Sequence, residues 1–343
     1  MKSLSFSDAA GIPKADLHMH AETRARIDRL VSRRDGVAAY DWGEELRSLS
    51  EVPPGIERLM PAVSVLADNK RLDTPVLDAL NEDDSIFVEW LAEALREPAA
   101  GGAILVEVRF GAKGGMRPGF MSLFRAAKER VTEEYPGFSA EALITSIWPE
   151  HPGAAEAFED SLRAAKEGLA GVDFVPVPYG EEAHWSDAHV WASKAADAGL
   201  GVTTHVGEFS AANIEAALRL PGVSRLGHGV HAATSPRLLD QVLQSGVTLE
   251  CCLTSNVVLG AVPSLEEHPI RELADAGVPI TLASDDPVRL CTGISREYEL
   301  AAGLGFSTQE LLGVTRRAVA ASFTSPERRE RLLGVVDRAL ASK

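Results

Sequence analysis

Cysteine is scarce in this chain. There are three in 343 residues, and two of them, Cys251 and Cys252, are adjacent. Three thiols cannot all pair, so a disulfide framework is excluded and a reduced, cytoplasmic setting is the simplest reading. No C-x-x-C spacing occurs, which removes the compact cysteine-based zinc site. Basic charge is also short. Thirty-four Lys and Arg face fifty Asp and Glu, a formal net charge of −16, and no basic stripe offsets it. That argues against a nucleic-acid or membrane-surface partner, though not against a small anionic substrate. No apolar stretch reaches the ~18 residues of a membrane span. The first residues, Met1 to Phe6, lack the apolar core of a signal peptide.

Hydrophobic residues make up 45% of the chain, enough for a sizeable core in one large domain or two ordinary ones. Eight short apolar runs read as strands: 15–21, 104–111, 143–148, 172–177, 201–206, 225–230, 247–252 and 278–283. They are apolar almost throughout rather than alternating, as parallel strands covered on both faces should be. Helical patterns separate them. Ser235-Pro236 starts one, Leu238, Leu239, Val242 and Leu243 form its apolar stripe, and Gly246 ends it. Gly171, Gly199 and Gly277 fall where a left-handed helix cap is useful. Ser307 and Glu310 have the spacing of a capping box. The repeated unit predicts a (β/α)8 TIM barrel.

One connection is too long. About 80 residues separate the first two runs, with an amphipathic segment over 82–96 carrying Ile86, Trp90, Leu91 and Leu95 on one side. We read residues 22–100 as a helical insertion over the barrel mouth, and 1–343 as a single domain.

The chain has nine histidines, and four stand where strands should end. His18 and His20 are two apart, so on a strand they face the same side. His205 ends run five, His228 run six, and Asp285 and Asp286 follow run eight. In this architecture the strand C-termini build the active site. Several neutral imidazoles with a carboxylate suit Zn2+ and leave room for a water, whose pKa falls from about 16 to about 7 on binding. Glu208 follows three residues after His205. In a closed pocket its carboxyl group would have a raised pKa and act as a general acid. His228 lies between two glycines and can orient the water and accept its proton. The neighbours Asp285 and Asp286 must diverge, one toward metal and one toward substrate. His151, His184, His189, His231 and His268 read as surface or loop residues. The run at 172–177 holds no lysine, which argues against a lysine-bridged binuclear site.

The sequence resembles the adenosine/adenine deaminase family of the amidohydrolase superfamily over almost its whole length. The resemblance rests on PKADLHMHAE (13–22), VEVRF (106–110), THVGE (204–208), RLGHG (225–229), CLTSN (252–256), EHPI (267–270) and SDDP (284–287). It implies one Zn2+ per chain held by His18, His20, His205 and Asp285. Glu208 would protonate the ring nitrogen beside the amino-bearing carbon, and His228 would activate or stabilise the attacking hydroxide. Asp286 would hydrogen-bond another ring nitrogen. Glu22 takes the place of an acid that often meets the sugar, and Gly180 best matches a glycine whose backbone contacts the purine. The expected reaction is hydrolytic deamination of a small aminopurine, with release of ammonia.

Three differences from the family pattern cluster near the substrate. Thr23 replaces a glycine, the segment Asp173–Glu182 is stretched, and Trp148-Pro149-Glu150 lacks a frequent arginine. They lead us to expect adenosine to be a poor substrate and a modified adenine or substituted nucleoside a better one. Arg24 or Arg26 would meet an anionic or extended group. The competing readings are a zinc amidohydrolase acting on another amino-heterocycle or cyclic amide, and a ligand-binding pseudoenzyme.

Overall fold

The structure, a computed structural model, describes residues 11–21, 23–35, 38, 40–48, 52–59, 82–111 and 117–342. Eight parallel strands form one sheet in sequence order. They are β1 (Lys14–His20), β2 (Ala103–Phe110), β3 (Ala140–Ile147), β4 (Gly171–Phe174), β5 (Gly201–Val206), β6 (Val223–His228), β7 (Thr248–Cys251) and β8 (Ile280–Leu282). The edges meet beyond β8, where the His20 amide donates to the Asp285 carbonyl at 2.7 Å and the Asp285 amide to the His18 carbonyl at 2.8 Å. The barrel is thereby closed through the residues that carry the candidate metal ligands.

The helices are α1 (Thr23–Asp35), α2 (Trp42–Ser48), α3 (Asp84–Ala100), α4 (Phe120–Glu134), α5 (Ala154–Ala165), α6 (Ser186–Asp197), α7 (Ile214–Ala217), α8 (Pro236–Ser245), α9 (Leu253–Val258), α10 (Ile270–Asp275), α11 (Ile294–Gly303), α12 (Thr308–Ala321) and α13 (Pro326–Ala341). Most strand residues are buried because barrel side chains fill the inside and helices cover the outside. Helix α12 lies across β8 and β1 on the outside of the closure. Its capping box is present: Glu310 N–H donates to Ser307 Oγ, and Ser307 N–H to Glu310 Oε2. Helix α8 starts with Pro236 and ends at Gly246, whose φ of +70° satisfies the left-handed cap.

Two sequence expectations shift. Gly171 is not a cap but the first residue of β4, and the left-handed turn before it is made by Gly168 at φ +100°. A Cβ on Gly171 would lie 2.7 Å from both the Gly201 carbonyl oxygen and the Phe323 ring, so close packing explains this glycine. Within the segment 22–100, α3 belongs to the outer layer, packed on β2 and α4 with Ile86, Trp90, Leu91 and Leu95 buried. Helix α1 packs on α3, and Arg26, Arg29 and Arg33 pair with Glu97, Glu97 and Glu93.

Candidate active site

At the C-terminal mouth of the barrel, β1 and β5 bring three imidazoles together. His20 Nε2 lies 3.3 Å from His18 Nε2 and 3.2 Å from His205 Nε2. Asp285 Oδ1 is 3.6 Å from His18 Nε2 and 3.5 Å from His20 Nε2. His18, His20 and His205 thus aim ring nitrogens at one point, and Asp285 brings a carboxylate oxygen against two of them.

The far sides of two imidazoles are held by carboxylates. His18 Nδ1 lies 2.9 Å from Glu250 Oε2, and His205 Nδ1 lies 3.0 Å from Asp173 Oδ1. A proton on each Nδ1 leaves a lone pair on each Nε2, the arrangement of a metal-ligating histidine with its outer carboxylate. Arg109 locks the two carboxylates to each other. Its Nε donates to Asp173 Oδ2 at 2.9 Å, Nη2 to Glu250 Oε2 at 2.6 Å, and Nη1 to the Leu17 carbonyl at 2.5 Å. Ser255 donates to Asp285 Oδ2 at 2.5 Å, leaving Oδ1 for the cluster. Gly227 makes room for this packing, since a Cβ there would stand 2.8 Å from His18 Cε1.

Burial, then the charge of Arg109, pushes the pKa of His18 well down, and burial lowers His20 to about 3. Burial opposes a charge on His205 too, but Asp173 outweighs it and raises that pKa. Burial thus disfavours a proton charge on His18 and His20, and carboxylates frame the converging nitrogens. The three imidazole nitrogens fit a metal ion at that position, with the Asp285 carboxylate beside two of them.

Beside the cluster lies a cavity of about 380 Å³. Its lining includes His20, His205, Glu208, His228, Asp285 and Asp286. Glu208 is buried, and Tyr179 donates to its Oε2 at 2.5 Å. Burial first, then the Asp285 carboxylate, raises Glu208 to about 8, while the Tyr179 hydrogen bond works in the opposite direction. Among the described residues, Glu208 Oε1 has no hydrogen-bond partner, and neither does Asp286 Oδ1. Asp286 Oδ2 accepts from Arg289 Nη2 at 2.5 Å. Burial opposes ionisation of Asp286, but Arg289 and His20 bring its pKa below the ordinary value. Its neighbour Asp285 is raised to about 6 by burial and by the Asp286 charge. His228 Nε2 lies 3.5 Å from Glu208 Oε2, and the residue is held at φ +63°.

The Adenosine deaminase family pattern matches residues 74–339. An adenine deaminase of Rhizobium leguminosarum bv. trifolii is 32% identical over 342 residues, covering 94% of this chain and 98% of that one. The chain belongs to the adenosine deaminase family. A shorter match, 45% identical over 141 residues, joins 40% of this chain to 44% of an adenine deaminase of Rhizobium johnstonii. The fold is that of the adenine deaminase of Arthrobacter aurescens, with TM-score 0.74 and 23% identity over 96% of this chain and 100% of that one.

Of the residues expected to form this deaminase site, His18, His20, His205, Glu208, His228, Asp285 and Asp286 come together. Glu22 lies outside the described residues, as do the side chains of Arg24 and Arg34. Gly180 turns at φ +78° next to the lining residue Tyr179, and its carbonyl accepts from Ser210 Oγ at 2.6 Å. The cavity wall there is Val175, Pro176, Val177 and Tyr179, with Gly180 one residue beyond it. Of the histidines read as surface or loop residues, His151 is exposed, His231 is half-buried and only His268 is buried. His151 lines the cavity, and His231 Nδ1 is 3.2 Å from the Gly207 carbonyl. Sequence reasoning also missed Arg109, Asp173, Tyr179 and Glu250 as functional side chains. Their signal was charge inside apolar runs, or position within the stretched segment after β4.

Proposed function

We propose that this chain is a zinc-dependent hydrolytic deaminase of adenine-type purines, with one zinc per chain on His18, His20, His205 and Asp285. Two buried carboxylate oxygens without partners among the described residues, Glu208 Oε1 and Asp286 Oδ1, carry this reading. They belong to residues lining the same cavity as the convergent imidazoles. A flat heterocycle with several ring nitrogens satisfies both. Glu208 is protonated at neutral pH and donates to the ring nitrogen beside the amino-bearing carbon. Protonation there makes that carbon electrophilic.

Asp286, kept ionised beside Arg289, accepts from a ring N–H. Free adenine offers such a donor on its imidazole ring. A 9-substituted nucleoside offers only a lone pair at the other imidazole nitrogen, so we rank adenine above adenosine.

Zinc held by this donor set supplies Lewis acidity that lowers the pKa of water from about 16 to about 7. Tyr179 and His228 fix the Glu208 carboxyl group from its Oε2 side. Oxygen from water adds to the amino-bearing carbon, the exocyclic C–N bond breaks, and ammonia leaves, so that adenine and water become hypoxanthine and ammonia. We read the described part of the segment 22–100 that precedes α3 as part of the same domain and as cover for this chemistry; residues 22, 36–37, 39, 49–51 and 60–81 lie outside the described residues. Ile56, from its short 3-10 turn, lines the cavity.

The test is Glu208→Gln. Metal content and melting temperature should stay at wild-type values, while kcat for adenine falls by roughly 10²- to 10⁴-fold. Near-wild-type turnover would remove Glu208 as proton donor.

A further inference from the structure

Behind His228 runs a buried chain of hydrogen bonds whose polarity follows from its far end. The backbone N–H of Ile270 lies 3.1 Å from His268 Nδ1. An amide N–H only donates, so Nδ1 of His268 is an acceptor and carries no proton. Burial lowers the pKa of His268 to about 4, so at neutral pH its single ring proton is on Nε2. That nitrogen stands 3.2 Å from Asn256 Oδ1, which must accept. The orientation of the Asn256 amide is thereby fixed by the network rather than by its shape. Its Nδ2 lies 3.1 Å from His228 Nδ1 and must donate to it. With a proton donated to its Nδ1, a neutral imidazole carries its own proton on Nε2, the nitrogen that faces the cavity and Glu208. His228, Asn256 and His268 are all buried, so water does not scramble the chain.

We propose that His268 and Asn256 are positioning residues that fix His228 as the Nε2–H tautomer, making it a hydrogen-bond donor to the reacting oxygen rather than the base that takes its proton. The inference rests on the reading that His228 faces the reaction, and it assigns the polarity of that contact. A donor aimed at an oxygen on which negative charge develops stabilises the transition state. A lone pair aimed at the same oxygen repels it. The wrong tautomer in an unchanged fold is known to be costly in catalysis. His268 was not expected to have this role from its position in a loop, and the Glu267-His-Pro-Ile270 motif gains a physical reason through it.

The test uses the metal-loaded full chain. Histidine-selective 15N labelling, with His228 signals assigned by their loss in His228→Phe, reads the tautomer directly and without turnover. We expect a bare Nδ1 and a protonated Nε2. Asn256→Asp replaces the donor with an acceptor, so it should transfer the His228 proton to Nδ1 and lower kcat about 100-fold, with KM for adenine within about threefold and metal content unchanged. Asn256→Ala releases the ring to both tautomers and should fall between wild type and Asn256→Asp. It also serves if the aspartate variant does not fold. A wild-type His228 protonated on Nδ1 would overturn the proposal. So would an Asn256→Asp enzyme as active as wild type, or an alanine variant slower than the aspartate one. His228→Phe with wild-type kcat would instead overturn the underlying reading that His228 faces the reaction.

Discussion

Tyr179 donates its hydroxyl to Glu208 Oε2 at 2.5 Å, and among the described residues the other carboxyl oxygen of Glu208 has no partner. Burial keeps the phenol protonated by raising its pKa well above the ordinary tyrosine value. A donor on Oε2 leaves Oε1 as the oxygen that carries the Glu208 proton. Tyr179→Phe keeps the ring and removes only this bond. The expected result is a fall in kcat of about tenfold, the scale of one hydrogen bond to an acid, with KM for adenine little changed. Steady-state kinetics on a variant of wild-type melting temperature checks it.

Asp173 accepts from His205, Arg109 and Thr145, and it is fully buried. Asp173→Asn removes the charge that balances Arg109 and weakens the hold on the His205 ring. Loss of the outer partner of a metal-ligating histidine costs about 10- to 100-fold in metal affinity. An unbalanced buried charge costs about 3–5 kcal/mol of stability. A chelator competition and a thermal melt on the same preparation measure both effects.

The clearest steric prediction is at Gly227. A methyl group there meets His18 Cε1 at 2.8 Å and Nδ1 at 3.1 Å, inside a packed barrel. Gly227→Ala should therefore displace the His18 ring while leaving the strand's backbone conformation acceptable, since its φ is not in the left-handed region. Metal content per chain is expected to fall well below that of wild type. A variant with full metal content and full activity would show that the His18 ring has more freedom than its packing indicates.

The barrel outline was legible because each strand is a nearly continuous apolar run with helical patterns between. The limits of that signal are instructive. The run at 172–177 reads as one strand, yet pairing ends at Phe174. Pro176 and Pro178 have no N–H to give a sheet, and Val175–Val177 instead line the cavity. The converging histidines were legible because four of the chain's nine stand where apolar runs end. Their outer partners were not, because Asp173, Arg109 and Glu250 are joined only by the closed barrel. Asp173 lies 64 residues from Arg109, and Glu250 lies 141 from it. His268 looked like a loop residue because only tertiary packing reveals that Asn256 stands beside its Nε2.

Acid should act on the closure through α12. Backbone and side-chain hydrogen bonds from Ser307, then Arg271, hold Glu310 down to about 2. Its ordinary value is about 4.3. A folded pKa below the unfolded one gives stability that is present above the unfolded value and is lost as pH falls through the folded value. The stabilisation from Glu310 should therefore be full at pH 7 and decline below about pH 4. Comparing melting temperatures of wild type and Glu310→Gln at pH 7 and pH 3 should show a gap that narrows in acid. A gap that widens would mean that the capping box is not the source. Ser307→Ala should cost about 1 kcal/mol at neutral pH.

The account stands on metal-dependent removal of the amino group from an adenine-type base. The direct measurement is ammonia and purine product from adenine with metal-free protein, with one equivalent of Zn2+ restored, and with adenosine in place of adenine. We predict no turnover without metal, hypoxanthine and ammonia in equal amounts with zinc, and a lower kcat/KM for adenosine. Undiminished turnover in the metal-free protein, or no ammonia from any aminopurine in the zinc-loaded one, would contradict it.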